Sequence, residues 1–165
     1  MTPEHGKLLC KVFLDTIEQE AEMTKKVIKA VPEDKKGYQP DPKAKTAHEL
    51  AWHLASSEVW FMDGVLAGQF SMGDGPAAPP TMSGIVERYE TNHRDRANKL
   101  KDLQADNLVK PISFFGIMEL PAVSYLNFQN LHSAHHRGQL STYLRPMGSK
   151  VPSIYGGSAD EPMGG

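Results

Sequence analysis

The sequence predicts an all-α fold, a four-helix bundle with long connecting loops and an irregular carboxy-terminal tail. Apolar residues recur at three- and four-residue steps in four long segments, which is the pattern of amphipathic helices. The alternation of apolar and polar residues that is typical of strands is nearly absent. An antiparallel bundle buries each apolar stripe most simply. Since the loops are long enough for a crossover connection, the order of the helices stays open.

The first helix is predicted from about residue 3 to residue 31, and the polar stretch that begins at Pro32 ends it. Cys10 lies on its apolar stripe and is interpreted as a small buried residue rather than a nucleophile. The stripe consists of Leu8, Leu9, Val12, Phe13, Thr16, Ile17, Ala21, Thr24, Val27, Ile28 and Val31.

The second helix is predicted to begin at Thr46, because Thr46 and Glu49 have the spacing of a capping box. Gly68 is its predicted end, and a long loop follows over residues 69–80. The residues that share one face are Leu50, His53, Leu54, Ser57, Trp60, Phe61 and Val65.

The third helix is predicted over residues 83–103, and residues 110–120 are expected to form a short extended segment or a hairpin. Pro121 suits the first turn of a fourth helix, which should continue to Leu144 before Pro146. The buried stripe of the third helix contains Ile85, Val86, Tyr89, His93, Ala97, Leu100 and Leu103.

Composition limits the class of protein. The 165 residues are 39% apolar and 23% charged, which predicts one globular domain over residues 1–165. A formal charge of −2 argues against a nucleic-acid partner, and a single cysteine excludes an internal disulfide. Because the sequence shows neither a signal peptide nor an apolar run long enough for a membrane span, we expect a cytoplasmic protein without a membrane partner.

Histidines give the first indication of chemistry. His132 and His136 are four residues apart on the fourth helix, so both rings project from one face and could reach one metal ion. The pair differs from the helical HExxH zinc motif because residue 133 is Ser. Histidines on a solvated face would have the same spacing.

A third histidine favours a metal site. His53 lies on the apolar stripe of the second helix, and bundle cores are where side chains of facing helices build metal sites. Three neutral imidazoles would leave a divalent ion an open coordination position, which is typical of catalytic sites. His135 is interpreted as an outer or surface residue, and His93 is a fourth candidate unless it only packs in the core.

The remaining candidates are weaker. Gln129, Gln139 and Tyr155 could orient a substrate, although core packing is the simpler interpretation of Gln129 and Tyr155. His48, in the first turn of its helix, is expected to be exposed.

Three segments together resemble a known family. The second helix reads TAHELAWHLASSEVWF, the fourth contains HSAHHRGQLSTYLR and the tail contains KVPSIYGGSADE. Over nearly the whole chain the sequence resembles the DinB-like (YfiT-like) superfamily of metal-binding proteins, and its most specific part is the H-x-x-H-H-R-G-Q string.

The resemblance implies a four-helix bundle that forms a homodimer, with a divalent metal held by His53, His132 and His136. It implies zinc or nickel as the metal and a small-molecule substrate. Characterised relatives include transferases and an isomerase that use low-molecular-weight thiols such as bacillithiol or mycothiol. A metal-dependent transferase or isomerase with a cofactor thiol as nucleophile is therefore the first hypothesis. A hydrolase that uses metal-bound water and a non-catalytic metal-binding protein are the alternatives.

Overall fold

Four long helices dominate the structure, a computed structural model that describes residues 1–73 and 75–163. The prediction of an all-α bundle is confirmed. In chain order the elements are α1 (Pro3–Lys29), α2 (Ala47–Ala67), α3 (Met82–Asp102), α4 (Ala105–Val109), β1 (Pro111–Phe114), β2 (Met118–Pro121) and α5 (Ser124–Leu144), with a short 3₁₀ turn at Glu33–Lys35.

The order of the helices around the bundle follows from their packing. Helix α2 lies between α3 and α5, and α1 also packs against α3 and α5. Helices α1 and α2 are therefore diagonal to each other, although they are consecutive in the chain. The connection between them crosses one end of the bundle, which is the crossover that the long loops allow.

The ends of α2 confirm the prediction from sequence. The Thr46 side-chain oxygen accepts a hydrogen bond from the Glu49 backbone N–H at 3.2 Å, and the Glu49 carboxylate accepts one from the Thr46 N–H at 2.8 Å. Gly68 ends the helix with a φ of 69°, a left-handed conformation that glycine adopts without strain. These two caps fix where α2 begins and ends, and therefore where His53 lies.

Buried polar residues separate the apolar core into two clusters. One cluster includes Val27, Leu50, Leu54, Ile85 and Leu144. The other includes Leu14, Met62, Leu100, Tyr125 and Leu126. The residues between them, here called the polar layer, are Thr24, Glu58, His93, Gln129, Ser133 and Arg137.

Hydrogen bonds join three residues of the polar layer, Thr24, Glu58 and Arg137. Thr24 and Tyr89 donate to the Glu58 carboxyl group at 3.2 and 2.5 Å, and Arg137 donates to the Thr24 hydroxyl at 3.0 Å. Arg137 also forms an ion pair with Glu20. These bonds compensate part of the cost of removing a carboxyl group and a guanidinium from water.

The apolar stripe predicted for the first helix includes residues that the bundle does not bury. Leu8 and Val12 are 61% and 49% exposed, whereas Cys10 and Leu14 are buried. Leu8 precedes Cys10 by two residues, which is about 200° of rotation on a helix. The bundle covers only the arc centred on Cys10, so the neighbouring apolar residues stay in solvent.

The predicted start of the fourth helix at Pro121 is wrong. Pro121 ends β2 and lies opposite Pro111, because residues 110–120 form the hairpin and the pairing extends to this residue. Helix α5 starts three residues later, at Ser124. The short helix α4 was not predicted, since five residues with Leu108 as their one buried side chain show no helical period.

The tail after α5 is irregular, as predicted, and it packs back on the bundle. The Tyr155 hydroxyl contacts both Arg137 and Glu20, which ties the tail to α5 and α1. Asp160 accepts a hydrogen bond from the Val151 backbone at 2.9 Å. Across the described residues, each helix is too short or too polar to span a membrane.

Candidate metal centre

Three histidine side chains from two helices converge at one point. His53 on α2 and His136 on α5 have their Nε2 atoms 3.1 Å apart. The ring centroids of His132 and His136, one turn apart on α5, are separated by 4.4 Å. One ring nitrogen from each of the three lies within 4.8 Å of the other two. The structure thus brings together the three histidines that the sequence singled out.

The spacing of the nitrogens fits a divalent cation. Imidazole nitrogens lie about 2.0–2.1 Å from zinc, so two of them in tetrahedral coordination are about 3.3 Å apart. The observed 3.1 Å between His53 and His136 is close to that separation. A metal ion could therefore be bound here with little movement of α2 against α5.

Partial burial keeps these imidazoles neutral. Burial first, and the neighbouring histidines to a smaller extent, lower the pKa of His53 and of His132 from 6.5 to about 4. Burial also lowers the pKa of His136, although its hydrogen bond to Gln139 opposes this effect. At neutral pH each ring therefore has one nitrogen with a free lone pair, which is the form that binds metals.

Hydrogen bonds determine which ring nitrogen is free. The Nδ1–H of His136 donates to the Gln139 side-chain oxygen at 3.0 Å. Ser57 donates its one hydrogen to the Leu54 carbonyl at 3.2 Å, so its oxygen accepts from the Nδ1–H of His132 at 3.4 Å. Both bonds leave Nε2 as the nitrogen with the lone pair. Such outer hydrogen bonds are typical of metal-binding histidines.

A cavity of about 360 Å³ opens beside the triad, here called the triad cavity. His53 and His132 line one side of it, and the Phe61 ring centroid is 5.5 Å from that of His132. The other lining rings are Trp60, Phe114 and Phe128. An apolar molecule of small size would therefore contact aromatic rings with its reactive end near the histidines.

The other histidines lie outside the triad. His135 is exposed, with its ring 4.8 Å from that of His136, which agrees with its interpretation as an outer residue. His93 belongs to the polar layer, with Nε2 3.6 Å from the Glu58 carboxyl group. The expectation that His48 is exposed is wrong, because the loop after α2 folds over it and its Nε2 lies 2.8 Å from the Pro79 carbonyl oxygen.

Of the three side chains considered for orienting a substrate, Gln139 contacts the triad. Tyr155 is bound instead to Arg137 and Glu20 in the tail contact. Gln129 is buried, and among the described residues its side-chain oxygen has no hydrogen-bond partner.

Sequence reasoning missed Ser57 as a partner of His132, and it missed the buried Glu58 and Arg137. A signal for Glu58 was available, since it follows Leu54 by four residues and precedes Phe61 by three, which places it on the apolar stripe. A charged residue at such a position is expected to have a buried partner.

Comparison with known proteins identifies relatives. Residues 4–163 match the sequence profile of the DinB family. The uncharacterized protein YrdA of Bacillus subtilis strain 168 is 29% identical over 151 residues, which cover 90% of this chain and 89% of YrdA.

Two solved structures are also similar. The DinB-like protein YjoA of Bacillus subtilis has a TM-score of 0.72 at 19% identity, over 86% of this chain and 96% of its own. A DinB-like protein of Bacillus cereus ATCC 10987 has a TM-score of 0.74 at 23% identity, over 87% of this chain and 95% of its own. At such identities the likeness shows a shared fold.

Proposed function

The chain belongs to the DinB family, and from this membership and its three converging imidazoles we propose that it is a metal-dependent enzyme with a small thiol as nucleophile. The observation that carries the proposal is the convergence of His53, His132 and His136, the first two of which line an aromatic cavity. Three histidine ligands leave part of the coordination sphere open to a small molecule, as in catalytic zinc sites.

The chain's own residues hold and orient the ligand atoms. Gln139 and Ser57 fix two of the imidazoles with Nε2 unprotonated, and partial burial keeps the rings neutral. A divalent ion such as zinc or nickel, when bound, lowers the pKa of a thiol or a water that coordinates it.

The lining of the triad cavity favours a thiol over water. Its hydroxyl side chains are Ser56 and Ser57, which donate to the backbone carbonyls of Trp52 and Leu54 at 2.7 and 3.2 Å. Among the described residues, no carboxylate or lysine lines this cavity. A thiol, with an ordinary pKa near 8.5, needs less help than water to become a nucleophile.

The aromatic lining binds the apolar body of an electrophile beside the histidines. Trp60, Phe61 and Phe128 also exclude water from that side of the triad cavity. The reaction class is then the transfer of a thiol to an apolar electrophile, or a thiol-assisted isomerisation.

The metal is tested first. Elemental analysis of protein purified without added metal should give about one equivalent of a divalent metal, and His53→Ala should lose it. His135→Ala is the matched control, because His135 lies beside the triad but outside it, and this variant should keep the metal. Equal metal content in wild type and His53→Ala would contradict the site.

Activity is tested next. Metal-loaded protein is incubated with thiols such as bacillithiol and mycothiol and with epoxides or chloro-aromatic electrophiles, and His132→Ala should abolish product formation. Turnover of an ester or amide without any thiol would instead identify a hydrolase. A cobalt-substituted protein whose visible spectrum does not respond to thiols or water exchange would indicate a non-catalytic metal-binding protein.

We also propose that the chain forms a homodimer, as the family resemblance implies. Light scattering of the purified protein tests this directly, since a molar mass equal to that of one chain would contradict it.

A further inference from the structure

A second cavity, of about 210 Å³, lies between α2 and α3 and is here called the arginine cavity. Arg88, Asn92 and Arg96 line it from α3, and the α2 side chains that line it include Trp52, Trp60 and Asp63. Neither the sequence motifs nor the metal centre accounts for Arg88, Asn92 and Arg96.

The arginine cavity adjoins the triad cavity across the outer ridge of α2. Ser56, Trp60 and Pro76 line both cavities. Trp52 and His53 are consecutive, so their side chains leave the helix about 100° apart, Trp52 toward α3 and His53 toward α5. Of these three shared residues, Ser56 has the smallest side chain, so a bound molecule would meet the least obstruction there.

Among the described residues, two guanidinium groups, of Arg88 and Arg96, and one carboxylate, of Asp63, line the arginine cavity, so the charge of this lining is positive. Arg96 is neutralised by Asp63 and Asp95, at 3.0 and 3.1 Å. Arg88 donates to the Ala77 carbonyl at 2.9 Å, and its guanidinium carbon lies 5.8 Å from the centre of the Trp52 ring. Within the described part of the chain, Arg88 forms no ion pair.

We propose that the arginine cavity binds a carboxylate of the substrate, whose apolar body crosses Ser56 so that its reactive end reaches the histidine triad. A planar guanidinium pairs with a carboxylate through two parallel hydrogen bonds, and the half-buried Asn92 amide supplies a further donor. The one positive charge that has no carboxylate partner among the described residues suits a carboxylate better than a phosphate dianion. Trp52 and Trp60 supply flat apolar surface for the adjoining part of the molecule. The inference rests on the proposed function, since the triad defines the reactive end.

The first test measures whether a carboxylate binds to the protein without help from the metal. Both tryptophans of the protein line the arginine cavity, and Trp60 also lines the triad cavity, so intrinsic fluorescence reports binding in either place. The Arg88 variant and the removal of metal show which cavity is occupied. We expect 4-nitrobenzoate to quench this fluorescence saturably in the full-length protein, both as purified and after removal of metal. The neutral 4-nitrobenzamide should bind more weakly.

Arg88→Gln should weaken 4-nitrobenzoate binding by about tenfold, the loss expected for one charge-assisted interaction, and leave 4-nitrobenzamide unaffected. Arg94→Gln is the matched control, because Arg94 is an exposed arginine of the same helix that does not line this cavity. Equal affinity of wild type and Arg88→Gln would overturn the proposal. Binding that is lost with the metal would also overturn it, since the carboxylate would then lie at the triad.

The second test asks whether one molecule spans both cavities. Mercaptoalkanoates of increasing length are added to cobalt-loaded protein, and the thiolate-to-cobalt absorption band is followed. Once the mercaptoalkanoate is long enough to span both cavities, its affinity for the protein should rise. This rise in affinity should be absent in Arg88→Gln and absent for mercaptoalkanols of equal length. The same affinity at every length would overturn the spanning arrangement.

The thiol chemistry at the triad and the carboxylate site in the arginine cavity can be contradicted independently of each other. Absence of a thiolate band with every thiol would contradict the thiol chemistry at the triad, whereas the fluorescence experiment on metal-free protein would still decide whether the arginine cavity binds a carboxylate.

Discussion

The Nε2 atoms of His53 and His136 lie 3.1 Å apart, although 83 positions separate the two residues in the chain. One of the two comes from α2 and the other from α5, so the packing of these helices sets the distance. When no metal is bound, one ring can donate a hydrogen bond to the other at this distance. A metal ion would replace that hydrogen, and the two Nε2 atoms would already be near the separation that coordination requires.

Gln139→Leu should weaken metal binding by about 10- to 100-fold, the usual effect of removing a side chain that orients a metal-binding histidine. Without its acceptor at 3.0 Å, the His136 ring loses the bond that fixes its tautomer. Competition with a chromophoric zinc chelator measures the affinity. Thr142→Ala, at an exposed position one turn later on the same helix, is the control and should bind zinc as wild type does. Unchanged affinity of Gln139→Leu would refute the role given to Gln139.

The stability of the metal-free protein should fall as pH is lowered from 6.5 toward 4. Burial lowers the pKa of His53 and of His132 to about 4, so in this range the unfolded chain takes up protons that the folded chain does not. Thermal unfolding midpoints measured across the range should decrease with falling pH. The double variant His53→Gln, His132→Gln should show a shallower decrease. His5→Gln, at the exposed amino end, should keep the wild-type slope, and equal slopes in all three proteins would contradict the prediction.

Glu58→Gln should stabilise the protein at pH 8 relative to wild type, and this advantage should vanish near pH 4. Burial raises the pKa of Glu58, so the folded state favours its protonated form. The stability that this form contributes is complete below about pH 4.5 and is lost as pH rises through the raised pKa. Glutamine stays neutral at every pH and keeps an acceptor for Tyr89.

Urea unfolding at the two pH values measures this effect. Glu87→Gln, an exposed position on α3, is the control and should change little at either pH. If Glu58→Gln were instead less stable than wild type at pH 8, Glu58 would have to be ionised and held by Arg137.

Two glycines should respond in opposite ways to alanine. A Cβ at Gly64 on α2 would overlap the ring of Phe70, which packs against Trp60 and Tyr125 with centroids 4.9 and 4.8 Å away. Gly64→Ala should therefore destabilise the protein by about 1–3 kcal/mol. Gly138 on α5 has open space around its Cβ position, so Gly138→Ala should stabilise the helix by about 0.5–1 kcal/mol. Chemical denaturation of both variants measures the difference, and the same sign for both would contradict the packing around Phe70.

The features that were predicted correctly depend on interactions between residues close to each other in the sequence. The capping box at Thr46 and the stop at Gly68 depend on hydrogen bonds and backbone angles within one turn, so their positions could be read from spacing. The triad could also be predicted, because His132 and His136 are one turn apart and His53 lies on an apolar stripe.

The features that the sequence did not reveal depend on tertiary contacts. Leu8 is exposed because no neighbouring helix covers its face, and Pro121 belongs to a strand because β1 pairs with it. The partners of Glu58 come from other helices, such as Thr24 on α1 and Tyr89 on α3. The arginine cavity likewise exists only where α2 meets α3, so no local pattern predicts it.

The diagonal placement of α1 and α2 has a consequence for synthesis on the ribosome. A nascent chain that ends after α2 has two amphipathic helices that make few contacts with each other in the native protein, so most of the apolar face of α1 lacks its native partners. The first such partner is α3, which is complete only at Asp102. The amino-terminal half of the chain must therefore emerge with its core surface uncovered, and it is this stretch that chaperones would be expected to hold during translation.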